Sequence, residues 1–290
     1  MDIALDKEYS PSLWCRRFSN GEDVVKSHIE FASRESSRVR SKFKYETIFY
    51  GIGANENIDL FGIDLPTDAP VVVYIHGGYW QQLNKEMSAY CVDPLVSNGF
   101  RVIVVEYDLC PTVTLKKLTQ QITECGQFIL NYAERMQCGQ LTFCGHSAGA
   151  HLILCMIENI QHASVKPLPI HSLFLISGIY DLTELQHTSI NKDNILSIDA
   201  SNVDELSPLK FDFKNWSRQQ FHVNICVAEN DSPTFIKQSL KLLNRLNANG
   251  LKTKLCFIEN RDHFDIVEKL CDESFELTQD LLKSRSLAHR

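Results

Sequence analysis

Three stretches of the chain, VVVYI (71–75), VIVV (102–105) and LFLI (173–176), are apolar without a break. A strand with one face in water alternates apolar and polar residues. An unbroken run of Val, Ile, Leu and Phe fits a strand covered on both faces, as in a mostly parallel sheet flanked by helices. From Thr47 onward such runs alternate with longer amphipathic segments, the pattern of an α/β protein. Eight strands are predicted, at 45–51, 57–63, 71–75, 101–107, 140–145, 171–177, 221–229 and 252–259. Helices are predicted at 20–42, 84–98, 114–136, 148–160, 233–249 and 264–283, most with apolar residues three and four apart. The 290 residues, 44% hydrophobic and 22% charged, are enough for one large core, read as one domain over 1–290 with an N-terminal helical segment at 1–44. Residues 179–216, between the sixth and seventh strands, are polar and weakly patterned, and are read as a cap or lid inserted over the sheet.

A formal net charge of −7, with no run of five or six like charges, argues against nucleic acid as a partner. The opening MDIALDKEYSPSLW has acidic residues where a secretory leader needs a basic start. No segment approaches the length of an apolar membrane span, so a cytoplasmic protein without membrane contact is expected. Ten cysteines are scattered without a CxxC pair and are read as reduced, mostly buried small hydrophobes. His151 and Cys155 fall four apart on one helix face, but two ligands without a third make no zinc site, and no metal is expected.

The chemistry concentrates at strand ends. GHSAG (145–149) fits G-x-S-x-G, with the apolar LTFC before it and helix-compatible AGAHLILCMIENI after it. That context makes a strand-to-helix elbow, in which Ser147 is thrust clear of the sheet as a nucleophile. YIHGGYW (74–80) follows the most apolar strand. Paired glycines there can turn amides toward an oxyanion, so Gly77 or Gly78 together with Ala148 are candidate donors, one of which is typically worth about a hundred- to a thousandfold in rate. His76, on that loop, is read as a hydrogen-bonder that fixes it.

In an elbow hydrolase the acid and the base follow the serine in the order Asp, His. His263 stands in NRDHFDIVE after the last strand, and Asp231 in NDSPTF after the one before. Both are at carboxyl ends of adjacent strands, where open α/β sheets gather their sites. Asp181, after the sixth strand, is the alternative acid; Asp262 and Asp265 flank His263 too closely to orient it. His151, His171 and His222 lack a loop setting and are read as structural. Together Ser147, His263 and Asp231 predict acyl transfer to water without a cofactor.

The motifs HGGYWQ (76–81), GHSAGAHL (145–152), SGIYDL (177–182), LSPL (206–209), AENDSPTF (228–235) and DHFDIVE (262–268), with YSPSLW at 9–14, resemble the kynurenine formamidases (arylformamidases). These are α/β-hydrolases of the hormone-sensitive-lipase-like branch. Tyr79 stands where that branch usually has a third glycine, which agrees with the formamidases. The resemblance implies an α/β-hydrolase fold and Ser147, Asp231 and His263 as the triad. It implies hydrolysis of N-formyl-L-kynurenine to L-kynurenine and formate in tryptophan breakdown, and it suggests a homodimer. A formyl group needs almost no acyl pocket, so Tyr79 and Trp80 could close that side and offer aromatic surface to the substrate, or simply pack at its rim. Two rivals stand beside this reading: a broad carboxylesterase acting on small aryl esters, and a binding module that keeps the fold without the chemistry.

Overall fold

The computed structural model describes residues 3–163 and 167–284; residues 1 and 2 of the expected N-terminal segment lie outside them. Among the described residues eight strands form one sheet in the order β1-β2-β4-β3-β5-β6-β7-β8. They are β1 Tyr45–Phe49, β2 Asn57–Phe61, β3 Val71–Ile75, β4 Arg101–Val105, β5 Leu141–His146, β6 Ser172–Ile176, β7 His222–Asn230 and β8 Lys252–Asp262. β1 and β2 pair antiparallel, as do β2 and β4; every pairing from β4 through β8 is parallel. An antiparallel edge on a parallel sheet covered by helices is the α/β-hydrolase architecture.

Side chains alternate across the sheet and build two cores. Val71, Val73 and Ile75 of β3 face one way, with Leu118, Ile122 and Ile129 of α4 (Leu115–Met136), Leu152 and Met156 of α5 (Ala148–Ala163) and Leu242 of α6 (Pro233–Ala248). Val72 and Tyr74 face the other way, toward Ala32 and Val39 of α2 (Gly21–Lys42), Leu95 of α3 (Val92–Ser97) and Leu277 and Leu281 of α8 (Glu276–Lys283). The long helices start where the sequence supplies caps: the Thr114 side chain accepts from the Lys117 amide, and Ser232 from the Phe235 amide with Pro233 at the first turn.

Two expected helices are broken. Over 84–98 a 3₁₀ turn at Lys85–Met87 gives way to α3, because Pro94 has no N–H for the carbonyl one turn upstream and its ring crowds it. Over 264–283 the chain forms α7 (Asp265–Glu268), unwinds, and restarts as α8 from an extended Phe275. There the Asp272 carboxylate accepts from the amide and hydroxyl of Ser274, a local turn that competes with the helix ladder. Residues 179–216 contain short 3₁₀ turns and no α-helix, and they bury Leu185, Leu196, Phe213 and Trp216 completely. The N-terminus forms α1 (Ile3–Glu8), a 3₁₀ turn at Pro11–Leu13 and an irregular stretch before α2. Among the described residues no helix is long and apolar enough to cross a membrane.

Candidate active site

β5 runs straight into α5, and the residue at the bend is Ser147, in the left-handed region with φ 52°. Its amide donates to the Ile176 carbonyl at 2.8 Å, which ties the bend to β6. The elbow depends on close backbone approach: a Cβ on Gly149 would collide with the Ile75 carbonyl at the end of β3. Strain of this kind persists only where the surroundings over-determine it, as the buried α5 and its flanking strands do here.

The end of β3 supplies the neighbouring loop. A Cβ on Gly77 would lie 3.1 Å from the Ser147 Cβ, so this backbone stands directly beside the hydroxyl-bearing residue. Gly78 sits at φ 99°, and a side chain there would strike the Gln82 carbonyl. Its own carbonyl accepts from the amides of Gln81 and Gln82 at 3.0 Å each. His76 fixes the loop: its ring stacks on Tyr107 at 4.3 Å, and Nδ1 lies 2.9 Å from the Gly77 carbonyl. The Tyr107 hydroxyl donates to the His76 carbonyl at 2.9 Å.

Asp231 follows β7 and His263 follows β8, and the two meet. His263 Nδ1 lies 3.1 Å from each oxygen of Asp231, whose side chain is buried completely. The Ser232 amide donates to the same carboxylate at 2.9 Å. Phe235 and Phe264 stand edge-on to the imidazole at 5.1 and 5.4 Å, leaving it little freedom to turn. The pairing with Asp231 commits Nδ1 and leaves Nε2 for a substrate-side proton. Asp181 is engaged elsewhere, its carboxylate accepting from the Thr183 amide.

His146, just before the serine, lies 2.8 Å through Nε2 from the His263 carbonyl, and burial holds its ring well below the usual imidazole range, in the neutral form. His151 is buried, its Nε2 2.8 Å from the Leu206 carbonyl and 3.5 Å from the Cys155 sulfur; burial lowers it to about 4. His171 just before β6 and His222 at the start of β7 have rings 6.2 Å apart, at the opposite ends of the strands from Ser147.

Ser147 and His263 open on one cavity of about 230 Å³. Its walls include Gly78 and Tyr79 of the glycine loop, Val25, His28 and Ile29 of α2, Tyr9 to Ser12 of the N-terminal stretch, and Ile190 from the 179–216 excursion. A larger cleft between α4, α5 and the excursion is open, polar and without serine or histidine in its lining. Of the two aromatic residues expected at the substrate, only Tyr79 reaches the cavity. Trp80 is turned into the core, fully buried and edge-on to His151 at 4.9 Å, because a left-handed backbone at both residues swings the indole away.

The N-terminal wall is the part sequence reading did not find. Residues 5–17 lie as a strap across the carboxyl ends of the strands and bond to the glycine loop and to the loops that carry Asp231 and His263. The Tyr79 hydroxyl donates to the Tyr9 carbonyl at 2.7 Å. Beside Asp231, the Ser232 hydroxyl donates to the Glu8 carbonyl at 2.6 Å, and Thr234 donates to the Glu8 carboxylate. Beside His263, Arg17 grips Asp262 with two nitrogens at 2.6 and 3.1 Å, and the Cys15 thiol donates to the same carboxylate at 2.8 Å. Burial alone would raise the Asp262 carboxyl, but Arg17 and Cys15 bring it down to about 2, while burial lifts the Cys15 thiol to about 11. The only hint in the sequence is YSPSLW, whose Tyr9 meets Tyr79, 70 residues on, while Glu8, Cys15 and Arg17 on either side reach partners more than two hundred residues away.

Comparison with known proteins adds independent information. Residues 63–241 match the family model BD-FAE. The chain is 34% identical over 288 residues to a kynurenine formamidase of Drosophila melanogaster, covering 95% of each chain. It is 36% identical over 286 residues to a kynurenine formamidase of Salmo salar, covering 96% of this chain and 95% of that one. Among solved structures, an esterase from the archaeon Pyrobaculum calidifontis superposes with a TM-score of 0.69 at 15% identity, over all of this chain and 95% of that one; it shares the fold.

Proposed function

We infer the reaction from one premise: the chain belongs to the kynurenine formamidase family. It is a hydrolase that cleaves the formamide bond of N-formyl-L-kynurenine, releasing formate and L-kynurenine. Within that reaction, Ser147 attacks the formyl carbon while His263 Nε2 takes the hydroxyl proton and returns it to the departing aryl amine. Water, activated by the same imidazole, then releases formate from the acyl-enzyme. Asp231 holds the imidazole in the tautomer with Nε2 free. The amides of Gly77 or Gly78 and of Ala148 receive the oxyanion, and the tight seat of Gly77 beside Ser147 supports that role. The strap and the excursion, which puts Ile190 on the wall, close the cavity as a cap and keep bulk solvent away from the reacting groups while the hydrolytic water is admitted.

The observation that carries these assignments is the pairing of His263 Nδ1 with both oxygens of buried Asp231, on a cavity shared with Ser147. Ten free cysteines, most of them buried, support a reducing, cytoplasmic setting. A homodimer is part of the same reading, and sedimentation at micromolar concentration checks it. The rival esterase reading is separated by substrate: turnover of N-formyl-L-kynurenine exceeding that of short-chain aryl esters is expected. Cleavage of the esters alone would overturn the formamidase assignment.

A further inference from the structure

The following rests on the formamidase reading. A formylated kynurenine carries an amino-acid end whose carboxylate must enter the cavity, yet the cavity is lined by no lysine or arginine among the described residues. Its ionisable lining groups are Tyr9, Tyr79, His28, His146 and His263. The two phenols are pushed up by burial and stay neutral. His146 is neutral and spends Nε2 on the His263 carbonyl. His263 is paired with Asp231. His28 remains.

His28 stands on α2, 4% exposed, its ring 5.3 Å from Phe264, the same phenyl that stands 5.4 Å from His263. The Glu268 carboxylate of α7 lies 3.0 Å from its Nδ1. Arg17 sits 3.4 Å from the other oxygen of Glu268, and the remaining α2 lining beside His28, Val25 and Ile29, is apolar. With Nδ1 committed, the nitrogen His28 can offer a ligand in the cavity is Nε2.

We propose that His28, held by Glu268, is the subsite for the substrate's α-carboxylate, one phenyl ring away from the base. Nδ1–H donates to Glu268, which fixes the ring, and Nε2–H donates to the substrate carboxylate in a charge-assisted bond inside the cavity. Ser147 and His28 line the same cavity, so one ligand can meet Ser147 with its formyl end and His28 with its acidic end. The site thereby selects α-amino-acid formamides over neutral ones.

The test compares kcat and KM for N-formyl-L-kynurenine, its carboxamide analogue and formanilide, in the native protein and in His28→Gln and Glu268→Gln. The native protein is expected to prefer the carboxylate over the carboxamide by about ten- to a hundredfold in kcat/KM, the worth of one hydrogen bond to a charged group. His28→Gln is expected to abolish that preference through KM, with a loss on the carboxylate at least about tenfold larger than on formanilide. Glu268→Gln moves the same ratio in the same direction. Equal losses on all three substrates, or no carboxylate preference in the native protein, would overturn the subsite alone. A native protein that cleaves aryl esters and no formamide would overturn the formamidase reading and the subsite with it.

Discussion

At Ser147 the backbone is bent into a region that L residues avoid, and the hydroxyl is set where β5 yields to α5. Substitutions test both the bend and the imidazole that serves it. Asp231→Asn leaves the shape but stabilises the wrong imidazole tautomer, so kcat is expected to fall by about three to four orders of magnitude with little change in KM; steady-state kinetics checks this. Gly149→Ala drives a methyl into the Ile75 carbonyl, whereas Gly250→Ala meets nothing within 4 Å and carries only the strain of φ 78°. Denaturant titration is expected to show a much larger stability loss for the first, the second costing about 1 kcal/mol. The placement of Ser147, Asp231 and His263 at strand ends was legible because each has a local signature. His28 was not, since its meaning depends on Glu268, 240 residues further on. Trp80 was misplaced because neighbours in sequence look alike until the backbone turns one of them inward.

Strands were easier to read than helices. Apolar runs of Val, Ile and Phe report burial on both faces directly, and all eight strands are present, β3 with the expected ends and the others with ends shifted by a residue to a few. Helical stripes over 84–98 and 264–283 kept their period through breaks made by Pro94 and by the Asp272 turn, and periodicity does not register such breaks. The strap was illegible for another reason: its stability lies in bonds to distant loops. Arg17→Ala removes the grip on Asp262. That carboxyl is held at about 2 in the folded chain against roughly 4 when unfolded, so the contribution is present above about pH 4 and is lost as the pH falls through about 2. Chemical denaturation at neutral pH is expected to show a loss of about 1–2 kcal/mol, narrowing as the pH drops from 4 toward 2. Because the strap also carries wall residues of the cavity, the same variant is expected to raise KM.

Across the whole molecule, a chain of net charge −7 has buried neutral histidines at its centre. His151 joins α5 to the 179–216 excursion through the Leu206 carbonyl and stays unprotonated down to about 4. In the unfolded chain it takes up a proton below about 6.5, so stability is present above that range and declines as the pH falls toward 4. Melting temperatures are expected to drop over this window, with a shallower decline in His151→Gln. The fold class was readable because sheet layering is written in local patterns, whereas the closure of the site over Ser147 is assembled from both ends of the chain. The central claim, that this enclosed serine performs the hydrolysis, is tested most directly by formate release from N-formyl-L-kynurenine. Ser147→Ala is expected to lower kcat by at least about three orders of magnitude in a protein that melts like the native one. A folded Ser147→Ala protein that still releases formate at near the native rate would contradict it.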